Sequence, residues 1–281
     1  MKIFIFFLNK FIVSNNILDS MEIETVIDPD KMKKMIPIIK SAWGMNTMDQ
    51  LVKDMIAAMR FHGGLALIAM EDGNAIGMHF SFTGRRNGKI YLYSHMTGVL
   101  SDKKYSGVGF KLKMRQKEWA MENGFDLIAW TYDPLMGLNA NFNIRKIGAI
   151  ARTYLRNFYG DMEDSLNYGI PSDRFVAEWR ILDDRKAQGK PMLNINALEG
   201  DTELNVKELP DVISFKIPED FLSMKKNDKD AASMIRLSTR TILENLFSSG
   251  FTVTDFHRDS SSYIMTRCGE EDPDFHENIF K

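Results

Sequence analysis

Between a strand-like run ending near Leu100 and a helix beginning near Val108, the chain carries Lys104-Tyr105-Ser106-Gly107-Val108-Gly109. This junction constrains the fold more than any other stretch. Glycines at a strand-to-helix turn let the main chain approach a bulky anion closely. The first turn of a helix offers N–H groups that no helical carbonyl reaches, at the positive end of the helix dipole. Such a corner is a physical cradle for a diphosphate. Its spacing departs from both GxxxxGK[ST] and GxGxxG. Two glycines one residue apart are equally a ligand-free turn, so the surrounding pattern has to decide.

That pattern has a definite order. Met21 to Ile27 has strand character, and Pro29 stands where a helix can begin. Met32, Met35, Ile36, Ile39 and Trp43 then repeat at helical spacing. A second helix from about Asp49 puts Leu51, Met55, Ala58 and Met59 on one face and stops at Gly63-Gly64. Leu65 to Met70, Ala75 to Thr83 and Ile90 to Leu100 are strands. They are joined by the turn Glu71-Asp72-Gly73-Asn74 and by the polar turn Arg85 to Lys89, whose arginines are expected to be solvated.

The helix opening at Gly107 and Gly109 has Val108, Leu112 and Trp119 on its apolar face and leaves Lys111, Lys113 and Lys117 to solvent. Asn123-Gly124 caps it, and the apolar strand Phe125 to Tyr132 follows. Strand, helix, strand over this distance makes a βαβ unit with parallel neighbours. Asn139 to Ile147 reads as a short helix stopped at Gly148, followed by strands Ala149 to Phe158 and Phe175 to Leu182. The fold class is α/β (α+β).

Beyond Leu182 the composition shifts. Asp183 to Pro191 reads as a linker or exposed loop. Strand-like pieces at Met192 to Leu198 and Leu204 to Leu209, a helix from about Asp228 to Ser248 and strands at Phe251 to Phe256 and Tyr263 to Arg267 make a smaller C-terminal α/β region. The acidic tail Glu270 to Lys281 is expected to fray. Three segments result: 1–20, 21–182 and 183–281. Ile3 to Leu8 behind Lys2 superficially resembles a secretion signal, but Asn9 and Lys10 interrupt it and no small-x-small cleavage site follows. Residues 1–20 are therefore read as an extension, or as lying upstream of a start at Met21.

Val99 to Gly109 resembles the coenzyme A loop of the GNAT superfamily of N-acetyltransferases, in which a strand runs into [QR]-x-x-G-x-[GA] and a helix. Lys104 stands in the [QR] place, and Gly107 and Gly109 fill both glycine places. Asn139 to Gly148 (NANFNIRKIG) is similar to the superfamily's short helix with an asparagine start and a K-x-G finish. With Tyr159-Gly160 and Ser172-Asp173-Arg174-Phe175 added, the chain looks like a group of uncharacterised acetyltransferases that also carry a C-terminal region. The likeness covers about 160 residues, from Met21 to Leu182.

The resemblance implies a mixed, mostly antiparallel sheet that splays open beside the loop. Acetyl-CoA or another acyl-CoA is the implied co-substrate, with no metal. Val99 would pair with the pantetheine arm, Lys104 belongs to the loop, and the main-chain N–H groups of Tyr105, Ser106, Gly107, Val108, Gly109 and Phe110 would hold the pyrophosphate. Asn139 and Asn143 are further candidates for the cofactor. Asn139 also suits an N-cap. The implied reaction is direct attack of an amine on the thioester with both substrates bound, which needs positioning and a donor facing the developing oxyanion.

The sequence departs from the superfamily where proton transfer is concerned. The position that often holds an acidic tyrosine, four residues before Gly148, is Ile144. Tyr132, Tyr154 and Tyr159 are substitutes, Tyr159 being the candidate acid, although strand aromatics more often serve packing. The strand before the loop has no carboxylate, so His95 is a candidate base by its ordinary pKa. Asp133 is a second, against a plain role capping the turn at Pro134. Arg174 could grip an acceptor carboxylate. Cys268, the chain's single cysteine, is expected to be inert.

A formal net charge of −2 favours neither nucleic acid nor an anionic membrane surface. A reducing, cytoplasmic setting fits the single cysteine. The expected acceptor is a small-molecule amine, amino acids included, and a homodimer is conceivable. A non-catalytic acyl-CoA sensor is the competing reading.

Overall fold

The computed structural model describes residues 21–43, 49–102, 105–160, 170–183, 191–197, 205–267 and 278–281. Its contacts divide the chain into two compact units, residues 1–85 with 90–128, and residues 86–89 with 129–281. This division falls inside the stretch 21–182 that the sequence reading treats as one domain.

In the first unit, β1 (Glu22–Thr25), β2 (Leu65–Glu71), β3 (Asn74–Arg86) and β4 (Lys89–Val99) lie in that order, with β1–β2 and β2–β3 antiparallel. Three helices, α1 (Pro29–Lys33), α2 (Ile36–Trp43) and α3 (Asp49–Phe61), precede β2. The helical run expected from Pro29 to Trp43 breaks, because Pro37 has no N–H and its ring would meet the carbonyl of Lys33 in a continuous helix. Met32, Met35, Ile38 and Ile39 pack on one face of the sheet with Ala66, Ile68, Met78 and Phe80. On the other face, Leu65, Leu67 and Ala69 meet Val108 and Leu112 of α4 (Val108–Glu122).

The seating of α4 depends on Gly77. A Cβ there would lie 2.9 Å from Val108 Cγ1 and 3.2 Å from Leu112 Cδ1. The missing side chain thus lets the helix descend onto β3.

In the second unit the strand order is β5 (Leu127–Tyr132), β7 (Arg174–Arg180), β6 (Ile150–Leu155), β10 (Phe251–His257), β11 (Ser262–Arg267), β9 (Val212–Lys216) and β8 (Leu193–Asn196). The first two residues of β5 belong to the other unit. Four pairings here are antiparallel, β6–β7, β6–β10, β10–β11 and β9–β11, while β8–β9 is parallel. Strands on either side of residue 183 therefore share one sheet, joined where Val253 faces Ala151. Helix α5 (Gly137–Ala140) runs into a π-helical turn, Asn141–Lys146. Helices α6 (Phe221–Asn227) and α7 (Lys229–Ser248) precede β10, and α7 buries Ala232, Ile242, Leu243, Leu246 and Phe247.

The structure is mixed α/β with mostly antiparallel strands, as expected, but several local expectations fail. Val206–Glu208 is a 3-10 turn, not a strand, and β9 was not anticipated. Helix α6 is separate from α7 because Asp228 leaves the helical conformation and its side chain caps the second helix by accepting from Ala231 N–H. The end of the tail is packed: Ile279 and Phe280 are buried. Arg86 Nε donates to the Ile279 carbonyl at 3.0 Å and Nη2 to that of Phe280 at 3.3 Å, and Asn87 Nδ2 also donates to Ile279 at 3.1 Å. Arg86 is thus a clamp rather than a solvated turn residue. Lys104, Cys268 and residues 270–277 lie outside the described residues.

Candidate functional site

In the first unit, the corner between β4 and α4 has the geometry of an anion cradle. Gly107 is the N-cap of α4 with φ +96°, a left-handed conformation that side chains rarely adopt, and no side chain caps the helix. Lys111 N–H makes the first helical bond, to the Gly107 carbonyl at 3.1 Å, so the N–H groups of Val108, Gly109 and Phe110 precede the helical ladder. Tyr105 N–H, by contrast, donates to the Asp102 carbonyl at 3.0 Å, and its side chain packs beside Val108 and Leu112. Ser106, Gly107 and Phe110 are exposed. Among the described residues, a Cβ on Gly109 would make one ordinary contact, with Val99 Cγ2 at 3.6 Å, so nothing described blocks this main chain.

His95 sits four residues before Val99 on β4, about 13 Å of extended strand. His95 is reached by solvent, but its ring packs among aromatics, 5.8 Å from Phe82, 6.0 Å from Tyr93 and 6.3 Å from Phe80 between centroids. Desolvation by these surroundings lowers its pKa below the ordinary 6.5, so the imidazole is neutral at pH 7. His95 and the next residue, Met96, both reach the Phe80 face of the sheet. Alternation therefore slips by one residue here, as at a bulge.

The remaining candidates lie in the second unit. Asp133 is buried. Its Oδ1 accepts from Leu135 N–H at 2.9 Å and its Oδ2 from Arg236 Nη2 at 2.6 Å, with Arg174 Nη1 at 4.0 Å. Burial works to raise this carboxyl, but Arg236 and then Arg174 outweigh it and hold the pKa below its usual value. A carboxylate fixed in this way has little tendency to take a proton.

The tyrosines separate by environment. Tyr132 is buried and Tyr154 half-buried with its hydroxyl donating to Asp173 Oδ2 at 2.7 Å. Burial pushes both well up in pKa. Tyr159 is 41% exposed, its hydroxyl is 2.8 Å from Thr131 Oγ1, and the Arg174 guanidinium lies 5.3 Å from its ring centre. Its loop is tightly held: Tyr159 N–H donates to Ser172 Oγ, Asn157 N–H to Asp173 Oδ1, and Ser172 N–H to Asn157 Oδ1.

Asn139 is exposed within α5 and is not the cap, which falls at Met136; Asn143 is buried in the π-turn. Ile144 is buried as well.

Sequence reasoning missed two arginines of α7. Arg236 pairs with Asp133, and Arg240 makes a two-pronged contact with Asp173 at 2.8 Å through both Nε and Nη2. The signal was present, since Arg236 falls in register with Ala232, Leu243 and Phe247 on the buried stripe. Lys113 was also misplaced: it is 3% exposed, not solvated, and its Nζ donates to Ser94 Oγ at 2.7 Å and Gln116 Oε1 at 3.2 Å.

No family model and no curated protein matches the chain. Solved structures do. The chain is similar to an acetyltransferase of the GNAT family from Desulfovibrio desulfuricans at 14% identity and TM-score 0.46, over 57% of this chain and 99% of that one. It is also similar to yncA from Salmonella typhimurium, an acetyltransferase solved with acetyl-CoA, at 14% identity and TM-score 0.48, over 60% and 98%. A third is Arabidopsis thaliana Naa50 with a bisubstrate analogue, at 19% identity and TM-score 0.44, over 57% and 97%. Among the described residues, no helix is long and apolar enough to cross a membrane.

Proposed function

We propose that this chain is an acyl-CoA-dependent N-acyltransferase that moves an acyl group, acetyl being the simplest, to the amine of a small molecule such as an amino acid. The observation that carries this reading is the cradle: Gly107 in a left-handed conformation, ladder-free N–H groups at Val108 to Phe110, and only an ordinary contact with Val99 beside Gly109. Main-chain donors at a helix start suit a diphosphate because they bring partial positive charge without a counter-ion to displace.

In this reading the acceptor nitrogen attacks the thioester carbonyl while both substrates are bound. The C–N bond forms, the C–S bond breaks, and coenzyme A leaves as thiolate. His95 takes the proton from the amine, a task its lowered pKa suits. The thiolate leaves readily and needs no acid from the first unit; Tyr159, in the second unit, is the solvent-accessible tyrosine of the three considered. Asp133 does not serve as the base, since both its oxygens are engaged. Arg174 supports an acceptor carboxylate only as a minor variant, given its place over the Tyr159 ring.

The competing reading, an acyl-CoA sensor without turnover, is favoured by the buried Ile144 at the usual acid position and by the engaged Asp133. Thiol release from acetyl-CoA, followed across a panel of primary amines that includes amino acids, separates the two. Amine-dependent release supports the transferase. Saturable coenzyme A binding without release over the whole panel supports the sensor, and no binding at all removes both.

A further inference from the structure

The face of the first unit's sheet beneath α4 is not uniformly apolar. In the β2–β3 register, Ala69 faces Gly77, Leu67 faces His79 and Leu65 faces Ser81. Residues directly opposite in an antiparallel pair share a face, and Leu65, Leu67 and Ala69 are the residues that Val108 and Leu112 cover. His79 and Ser81 therefore point under the same helix, one and two strand repeats beyond the glycine on which it rests. Both are fully buried. From above come Lys113 and Gln116, buried on α4, and from β4 come Ser94 and Thr97.

Some of the polar atoms meet each other. His79 Nδ1 lies 2.9 Å from Thr97 Oγ1, and Lys113 Nζ bridges Ser94 Oγ and Gln116 Oε1. The ammonium contact fixes the Gln116 amide with its oxygen toward Lys113, which leaves the NH2 as a donor. Three atoms of this set have no hydrogen-bond partner among the described residues: His79 Nε2, Ser81 Oγ and Gln116 Nε2. A buried polar atom without a partner costs about 1–3 kcal/mol, and three on one face call for a shared solution.

We propose that these three atoms enclose an internal hydration site, in which one ordered water beneath α4 bridges His79, Ser81 and Gln116. Water fits the donor and acceptor inventory better than an anion does. Gln116 Nε2 can only donate, Ser81 Oγ can do either, and a neutral His79 presents N–H or lone pair according to which tautomer Thr97 selects. A water accepts from the amide and satisfies either tautomer, whereas a halide would require every group to donate. Burial and the neighbouring Lys113 keep His79 neutral, which supports the same choice.

Two measurements on the full chain test the site. A high-resolution crystal structure, from chloride-free crystals and from crystals soaked in bromide, should show a water peak within hydrogen-bonding reach of at least two of the three atoms and no bromide signal. Ser81→Ala gives a test of opposite sign. Removing a hydroxyl that is truly unpartnered raises Tm, whereas removing one that binds water lowers it, here by roughly 2–4 °C. An unchanged or raised Tm, a dry site, or a bromide peak in its place each overturns the proposal.

Discussion

Arg236 of α7 and Asp133 at the end of β5, 103 residues apart in sequence, form a buried ion pair at 2.6 Å. Both side chains are nearly inaccessible, and Arg236 also lies over the Phe221 ring at 5.1 Å. The residues past 183 are therefore part of what neutralises the interior of the second unit. Removing one member of such a pair leaves an uncompensated buried charge and costs about 3–5 kcal/mol. Arg236→Met should lose stability on that scale in urea denaturation, and adding Asp133→Asn should restore part of it. A loss under about 1 kcal/mol for the single variant would show that Arg174 or solvent replaces Arg236.

The cradle predicts different outcomes for its two glycines. Gly109→Val adds bulk at a helical position where a Cβ makes only an ordinary contact, with Val99 Cγ2 at 3.6 Å, so the protein should remain folded while coenzyme A affinity falls at least about tenfold, or 1.4 kcal/mol. Gly107→Val should lower stability as well, because φ +96° strains any side chain. Titration calorimetry with coenzyme A and a thermal melt on each variant suffice. Wild-type affinity in a folded Gly109→Val would exclude close approach to this main chain.

Gly77→Ala should loosen the seat of α4. The added Cβ would meet Val108 Cγ1 at 2.9 Å, and overpacking of this kind costs about 1–3 kcal/mol. Amide hydrogen exchange should quicken along Val108 to Leu112 more than in β10–β11. Uniform exchange changes across the chain would contradict a local seat.

Much of this architecture was legible because it is local. Asn74 and Gly73 mark the β2–β3 turn, Asn87-Gly88 the β3–β4 turn, and Gly107-Val108-Gly109 the start of α4. What escaped depends on partners distant in sequence. Lys113 shares its helix with Lys111 and Lys117, and nothing in the repeat tells it apart; it is buried because Ser94 and Gln116 meet its ammonium. Strand β9 is a short run whose order follows from lying between β8 and β11. Asp133 read either as a base or as a cap of the turn at Pro134; the Leu135 N–H bond fits the cap, while its counter-ion lies a hundred positions away. Of the proposed site, the loop could be read, whereas the commitments of Asp133 and Tyr154 could not.

Stability should depend on pH through Lys113. Burial lowers its pKa from 10.5 to about 7, while the unfolded chain keeps this proton up to about 10.4. Between those values the unfolded state binds more protons, so this residue makes stability rise with pH from about 7 to about 10 and adds no slope below 7. The full rise is of order 4 kcal/mol. Lys113→Met should abolish it, so wild-type stability minus variant stability should increase steadily from pH 7 to 9.5. A difference independent of pH would place the charged amine in contact with solvent.

If His95 is the base, the acid limb of kcat/KM should follow its imidazole. Because its pKa lies below the ordinary 6.5, activity should rise with pH and reach half its plateau below pH 6.5. His95→Gln should remove that limb and cost about 10²–10⁴ in rate. A limb that survives the substitution would move the base elsewhere.

The clamp of Arg86 on Ile279 spans 193 positions. At a ribosomal pace of roughly 5–20 residues per second, about 10–40 s separate the emergence of the hairpin tip from that of the carbonyls it holds. During synthesis Arg86 and Asn87 therefore wait in solvent, and this closure can form only after translation of the tail. A nascent chain stalled before residue 279 would present an unlatched turn to chaperones and proteases.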